Sequence, residues 1–160
     1  MSGAGVRVGL GYDVHPFGDE STTLVLGGVT IDGPGLAGHS DADVICHAVA
    51  DALLGPAGLP DLGTLFPASD DRWRGASSIE LLRDVVARVE AAGWSVVNVD
   101  AVVNAEVPRL APHLEAIAAN LSAALGGVFV SVKPKRGEGI GAVGRTEGIA
   151  CWAVALVESR

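Results

Sequence analysis

The chain has 160 residues, a formal net charge of −8, 49% hydrophobic residues and only 4% aromatic ones. That length suits one domain, spanning residues 1–160, and a composition led by Ala, Val, Leu and Gly belongs to a folded α/β protein rather than a disordered chain. The acidity argues against nucleic acid as a partner, since phosphate backbones are bound by clustered Lys and Arg. The longest apolar run, residues 149–157, falls far short of the ~20 residues of a membrane-spanning helix.

In chain order, residues 6–15 alternate as a strand, and residues 24–31 read as a second strand in which Gly27 and Gly28 suggest a bulge. A Gly-rich loop follows, "DGPGLAGHSDAD", and then a helix over 41–54 that Gly55-Pro56 is expected to end. The irregular segment 57–75 is long enough to suggest function. Ser77 and Glu80 have capping-box spacing before a helix over 79–93, with Ile79, Leu82, Val86 and Val89 as its apolar stripe and Gly93 as its C′ residue. Residues 94–106 alternate as a strand. A helix over 111–125 carries Leu114, Ile117, Leu121 and Leu125 on one face, and a strand over 128–133 leads into the Gly-rich loop 134–148. The last strand covers 149–158. Five strands and three helices predict two layers, with helices on one sheet face. The Val-rich strands leave the other face apolar, and no helix remains to cover it, so the chain is expected to associate with itself. No signal peptide is evident at the start. Cys46 and Cys151 stand alone, without Cys-x-x-Cys spacing, as buried thiols of a reducing, cytoplasmic compartment.

Three constellations carry chemistry. Asp13 and His15, two apart at a strand end, share one face, and His47 lies on the first helix four residues from both Asp43 and Asp51. Three N/O donors with one open position is how a catalytic zinc site is built, with Asp43 or Asp51 available to orient His47. The plain alternative is solvent-facing polarity at a strand end. In "GHSDAD", His39, Ser40 and the free amides of a helix N-terminus form an anion site or an ordinary cap. In "KPKRGEGIGAVGR", Lys133, Lys135, Arg136 and Arg145 surround glycines that let a ligand approach the backbone, and Glu138 among them could hold Mg²⁺ against a phosphate. The alternative is a solvated loop of mixed charge.

"GYDVHPF", "LAGHSDADVICHAVADALLG", "GLPDLGTLFP", "NVDAVVNAEVPRLAPH" and "GRTEGIACWAVALV" occur in order from about residue 7 to the end. Together they resemble the 2-C-methyl-D-erythritol 2,4-cyclodiphosphate synthase family of the non-mevalonate isoprenoid pathway. The resemblance implies a ferredoxin-like α+β subunit whose mixed sheet is covered by helices on one face, the sheets packing in a homotrimer around a central apolar cavity that can take an isoprenoid diphosphate. Active sites lie between subunits. There, 4-diphosphocytidyl-2-C-methyl-D-erythritol 2-phosphate cyclises with release of CMP, a lyase reaction that depends on divalent metal.

By that resemblance Asp13, His15 and His47 bind zinc, and Asp13, Val14 and His15 also face substrate. His39 and Ser40 contact phosphate and polyol, with His39 stabilising the transition state. Asp61, Leu62 and Gly63, with Phe66, Pro67, Ala68, Ser69 and Asp70, belong to the sugar region. Ala105, Glu106, Val107, Pro108, Arg109, Leu110 and Ala111 line the cytidine pocket. Glu138 holds Mg²⁺ or Mn²⁺, and Arg145 faces the cavity. No nucleophilic side chain is implied, since the substrate carries its own nucleophile.

The chain departs from the family pattern at one loop. Lys133-Pro134-Lys135-Arg136-Gly137-Glu138 stands where the family has Lys-Ala-Thr-Thr-Thr-Glu, so Arg136 occupies a threonine position treated as catalytic. Ala142 replaces an aromatic residue and Ala68 an aspartate. Lys135, Arg136, Gly137 and Ala142 are therefore expected beside the nucleotide with altered chemistry. The alternative to an active synthase is a trimeric protein that binds zinc and isoprenoid diphosphate with reduced or lost turnover. A zinc phosphohydrolase that releases linear products is the other alternative.

Overall fold

The structure, a computed structural model, describes residues 5–160. In chain order the elements are β1 (Val6–Pro16), β2 (Leu24–Leu26), β3 (Val29–Ile31), α1 (Val44–Ala57), the one-turn α2 (Leu62–Leu65), α3 (Ser78–Ala91), β4 (Trp94–Asn104), α4 (Leu114–Ala124), β5 (Phe129–Lys135), the one-turn α5 (Gly141–Gly144) and β6 (Gly148–Ser159). Four strands make one mixed sheet in the order β1-β6-β4-β5, antiparallel except for β4 with β5. A parallel pair needs a crossover, and α4 supplies it. Helices α1, α3 and α4 pack on one sheet face, as the two-layer reading expects. Among the described residues, no helix is long and apolar enough to cross a membrane, and both cysteines are buried and free.

Helix α1 is buried almost all round, from Val44 and Ile45 to Leu53 and Leu54, because it lies between the sheet and α3. It sits very close to β1. A Cβ placed on Gly11 would fall 1.8 Å from the Ala48 carbonyl oxygen, and one on Gly9 would fall 1.9 Å from that of Ala52. The glycine positions of β1 therefore face the helix, together with Asp13 and His15 farther along the same face. The apolar positions of β1 face away: Val6, Val8, Leu10, Tyr12 and Val14 are all exposed. Their neighbours Trp152 and Val154 on β6 are exposed as well, and the Tyr12 and Trp152 rings meet at 5.1 Å.

Four expectations are corrected. Residues 24–31 form a hairpin rather than one strand: Gly27 and Gly28, at φ 57° and 72°, make its two-residue turn. Gly55-Pro56 does not end α1. Pro56 lies in the last turn, where only the bond to the Ala52 carbonyl is forfeited, and Gly58 closes the helix in the left-handed region with its N–H on the Leu54 and Gly55 carbonyls. Ser77 makes no side-chain cap, and Glu80 pairs with Arg83 instead of closing a box. The buried stripe of α3 is Leu81, Leu82, Val85 and Val89, with Ile79 and Val86 only half-buried.

Candidate functional site

The carboxyl end of β1 delivers Asp13 and His15 to one point, and α1 delivers His47 to the same point across the Gly9–Gly11 contact. His15 Nε2 lies 2.9 Å from Asp13 Oδ2, His47 Nδ1 lies 3.0 Å from the same oxygen, and the two ring nitrogens are 3.1 Å apart. Each ring is held from behind. His15 Nδ1–H donates to the Ala37 carbonyl at 3.0 Å, which leaves the Nε2 lone pair facing Asp13. His47 Nε2 lies 2.8 Å from Ser78 Oγ and 3.1 Å from Ser40 Oγ.

A carboxylate oxygen and two imidazole nitrogens thus converge with their outer atoms already occupied. Such an arrangement requires positive charge at its centre, and the three side chains could hold a metal ion. Burial works against charge on Asp13 and His15 alike. The hydrogen bonds of Asp13 to His15 and His47 outweigh it, so the Asp13 carboxyl is lowered to about 2 and the His15 imidazole is raised above its ordinary value.

These ligands open onto a cleft of about 360 Å³. It brings together Asp13, His15, His47, His39, Ser40, Asp61, Leu62, Gly63, Phe66 and Ala68, all expected from sequence, and adds Asp51, Trp73 and Leu81. Val14 points to the opposite sheet face, and Pro67, Ser69 and Asp70 do not line the cleft. Asp70 acts on it indirectly: its carbonyl accepts from His39 Nε2–H at 3.0 Å. Its carboxylate is engaged by Arg72, which lowers its pKa.

Neither carboxylate expected to orient His47 does so. Asp43 is fully buried as the N-cap of α1. It accepts from the N–H groups of Gly27, Gly28, Ile45 and Cys46, while burial pushes its carboxyl up. Asp51 accepts from the Leu62 N–H at 2.8 Å. Ser78 is the residue behind His47, and no sequence pattern marks it, because the contact joins helices 31 positions apart.

A second cleft, of about 630 Å³, is lined by Ala105, Glu106, Val107, Pro108, Arg109, Leu110 and Ala111 from one segment, and by Pro134, Lys135, Arg136 and Glu138 from the other. Glu138 therefore lies there, away from the Asp13–His15–His47 cluster. Glu106 ties the two segments together. Its Oε1 accepts from the Arg136 guanidinium at 2.8 Å and its Oε2 from the Gly137 N–H at 2.9 Å, and the Arg136 bond leads in lowering its pKa. Gly137, Ala142 and Arg145 do not line this cleft. Arg145 pairs with Glu147, and Lys133 pairs with Asp100 on the outward sheet face.

The YgbB family profile matches residues 6–158. A 2-C-methyl-D-erythritol 2,4-cyclodiphosphate synthase from Bordetella petrii is 54% identical over 154 residues, covering 94% of both chains. One from Rubrobacter xylanophilus is 56% identical, covering 96% of both. Among solved structures, IspF from Plasmodium falciparum in a CDP complex superposes with a TM-score of 0.84 at 35% identity, covering 98% of this chain and 97% of that one. Over nearly its whole length, on sequence and on fold, the chain belongs to the YgbB family, that of the 2-C-methyl-D-erythritol 2,4-cyclodiphosphate synthases.

Proposed function

We propose that the chain cyclises 4-diphosphocytidyl-2-C-methyl-D-erythritol 2-phosphate to 2-C-methyl-D-erythritol 2,4-cyclodiphosphate and CMP, the reaction its relatives are named for. An oxygen of the 2-phosphate bonds to the β-phosphorus. The bond from that phosphorus to the bridging oxygen breaks, and CMP departs with the oxygen. The observation that carries this reading is the triangle of Asp13, His15 and His47, with donors 2.9–3.1 Å apart and both rings tied off behind. Asp13, His15 and His47 would hold a zinc ion through one carboxylate oxygen and two ring nitrogens, a donor set suited to that metal. The Asp13–His15–His47 triangle would hold zinc and Glu138 would hold Mg²⁺ or Mn²⁺, and ions bound there would supply positive charge against the diphosphate.

The protein's remaining work is positioning, because the nucleophile belongs to the substrate. His39, braced by the Asp70 carbonyl, and Ser40 contact phosphate. The 105–111 wall holds the cytidine, consistent with the CDP complex of the Plasmodium relative. Arg136 supplies a cation to the nucleotide phosphates. The exposed apolar face of β1 and β6 supports a homotrimer that brings one subunit's Glu138 cleft to another's metal cleft and encloses an apolar cavity for an isoprenoid diphosphate.

Incubation of the purified protein with the substrate, Zn²⁺ and Mg²⁺ should yield CMP and the cyclic diphosphate by mass spectrometry, and His15→Ala should abolish both zinc content and product. Linear monophosphates in place of the cyclic product would refute the reading. Arg136→Thr should weaken nucleotide binding and reduce its dependence on salt.

A further inference from the structure

The contacts behind His47 are more specific than a bracing hydrogen bond. Ser78 Oγ has one hydrogen, and it is engaged by Asp41 Oδ1, a carboxylate that can only accept. Ser78 Oγ must therefore accept from His47 Nε2 at 2.8 Å, which puts a proton on Nε2 and leaves Nδ1, 3.0 Å from Asp13, as the nitrogen that would take a metal ion. Asp41 cannot turn away. Its Oδ2 accepts from the Ser78 N–H at 3.0 Å, its Oδ1 also accepts from the Asp43 N–H at 3.2 Å, and its own N–H donates to the Ala76 carbonyl at 3.0 Å. Ser78 itself is only 1% exposed, so no water competes for its hydroxyl.

We propose that Ser78 and Asp41 form a positioning relay, Asp41 to Ser78 to His47, that holds the His47 proton on Nε2 and aims Nδ1, and so sets the affinity for a metal ion that neither residue touches. Chains of this kind, from a carboxylate through a bridging group to a metal-binding histidine, raise the ligand's basicity and hold its ring plane. Ser40 Oγ, 3.1 Å from the same nitrogen, is the lesser partner, because no carboxylate stands behind it. The competing explanation is structural: Asp41 merely staples the start of α3. The two separate at Ser78→Ala, which keeps the backbone N–H on Asp41 and removes only the hydroxyl.

The relay rests on the metal-site reading, and His15→Ala tests that reading on its own. Zn²⁺ affinity of the purified full chain is measured by competition with a chromogenic chelator, and the His47 nitrogen that binds the ion by ¹⁵N ring shifts of the Zn²⁺-loaded protein. We expect His47 to bind Zn²⁺ through Nδ1, an Nε2–H that exchanges slowly in the wild type and faster in Ser78→Ala, and Zn²⁺ binding about 10–100-fold weaker in that variant. Ser40→Ala should lose less. If Ser78→Ala binds Zn²⁺ within threefold of wild type while His15→Ala loses binding, the relay is wrong and the metal site stands. If His15→Ala binds as well as wild type, the metal site itself is wrong. Coordination of Zn²⁺ through His47 Nε2 in the wild type overturns the relay whether or not any variant folds.

Discussion

The Gly11–Ala48 contact predicts that one methyl group can empty the proposed metal site without touching any of its three candidate ligands. In Gly11→Ala the new Cβ would meet the Ala48 carbonyl oxygen at 1.8 Å, and the Ala48 carbon and Ala52 nitrogen at 2.8 Å each. These are helix backbone atoms, so no side chain can swing aside. Contacts below 3.0 Å are essentially never made by real Cβ atoms, so α1 must lift from β1 by at least about 1.2 Å near Ala48. Overpacking of this kind costs about 1–3 kcal/mol. The adjacent residue is His47, whose Nδ1 must stay about 3 Å from two donors carried by β1, whereas a metal site tolerates roughly 0.2 Å of error in its bond lengths. Zn²⁺ affinity should fall at least about 100-fold, more than for loss of an outer hydrogen bond. Gly9→Ala is the control. It meets the Ala52 oxygen at 1.9 Å, more than a turn farther from His47, so it should lose similar stability and much less metal affinity. Urea unfolding of the metal-free proteins and chelator competition give the two readouts. A folded Gly11→Ala protein with wild-type Zn²⁺ affinity, or equal losses of affinity in both variants, would refute the reasoning.

Three further outcomes follow from the packing and the charges. Asp43→Ala strips one acceptor from four backbone N–H groups, removing the α1 cap and its tie to the 24–31 hairpin; urea unfolding should show a loss of about 3 kcal/mol, and less than 1 would mean the tie is slack. In the metal-free protein Asp13 is lowered from 3.8 to about 2, so its stabilisation, on the order of 2 kcal/mol, is full above its ordinary value and is lost as pH falls toward 2. Between pH 5 and pH 3, below the range in which the raised His15 takes up its proton, the wild type should therefore lose about 1 kcal/mol more than Asp13→Asn in urea titrations. Leu10→Glu with Val154→Glu should convert the proposed homotrimer to monomers by light scattering, since both side chains lie on the exposed apolar face; a wild type that is already monomeric refutes self-association through that face.

Much of this protein was legible in its residue order, because the signals concerned are local. Period-2 spacing put Asp13 and His15 on one face and helical periodicity set out α3 and α4, while residues 105–111, assigned through the family resemblance, share a cleft with Lys135, Arg136 and Glu138 of the basic loop. The misreadings were also local in form and tertiary in cause. Gly27-Gly28 makes a turn instead of a bulge, because Leu24 and Leu26 pair back on Val29 and Ile31. Pro56 ends no helix, because it falls where a single forfeited bond is tolerable.

What sequence alone could not decide is which face of β1 is the inside. The alternation Val6, Val8, Leu10, Tyr12 reads as a core face, yet the glycines between them face the helix and the valines face outward. The reason is steric: α1 can lie close enough to bring His47 to Asp13 and His15 only over positions without a Cβ. The Ser78–Asp41 pair behind His47 and the Glu106 tie to Arg136 belong to the same class. Each joins segments about 30 or more residues apart, and only the close packing of helix on sheet and loop on loop brings them within hydrogen-bonding distance. The sequence by itself determined the donors, and the tertiary structure alone decided what holds them in place.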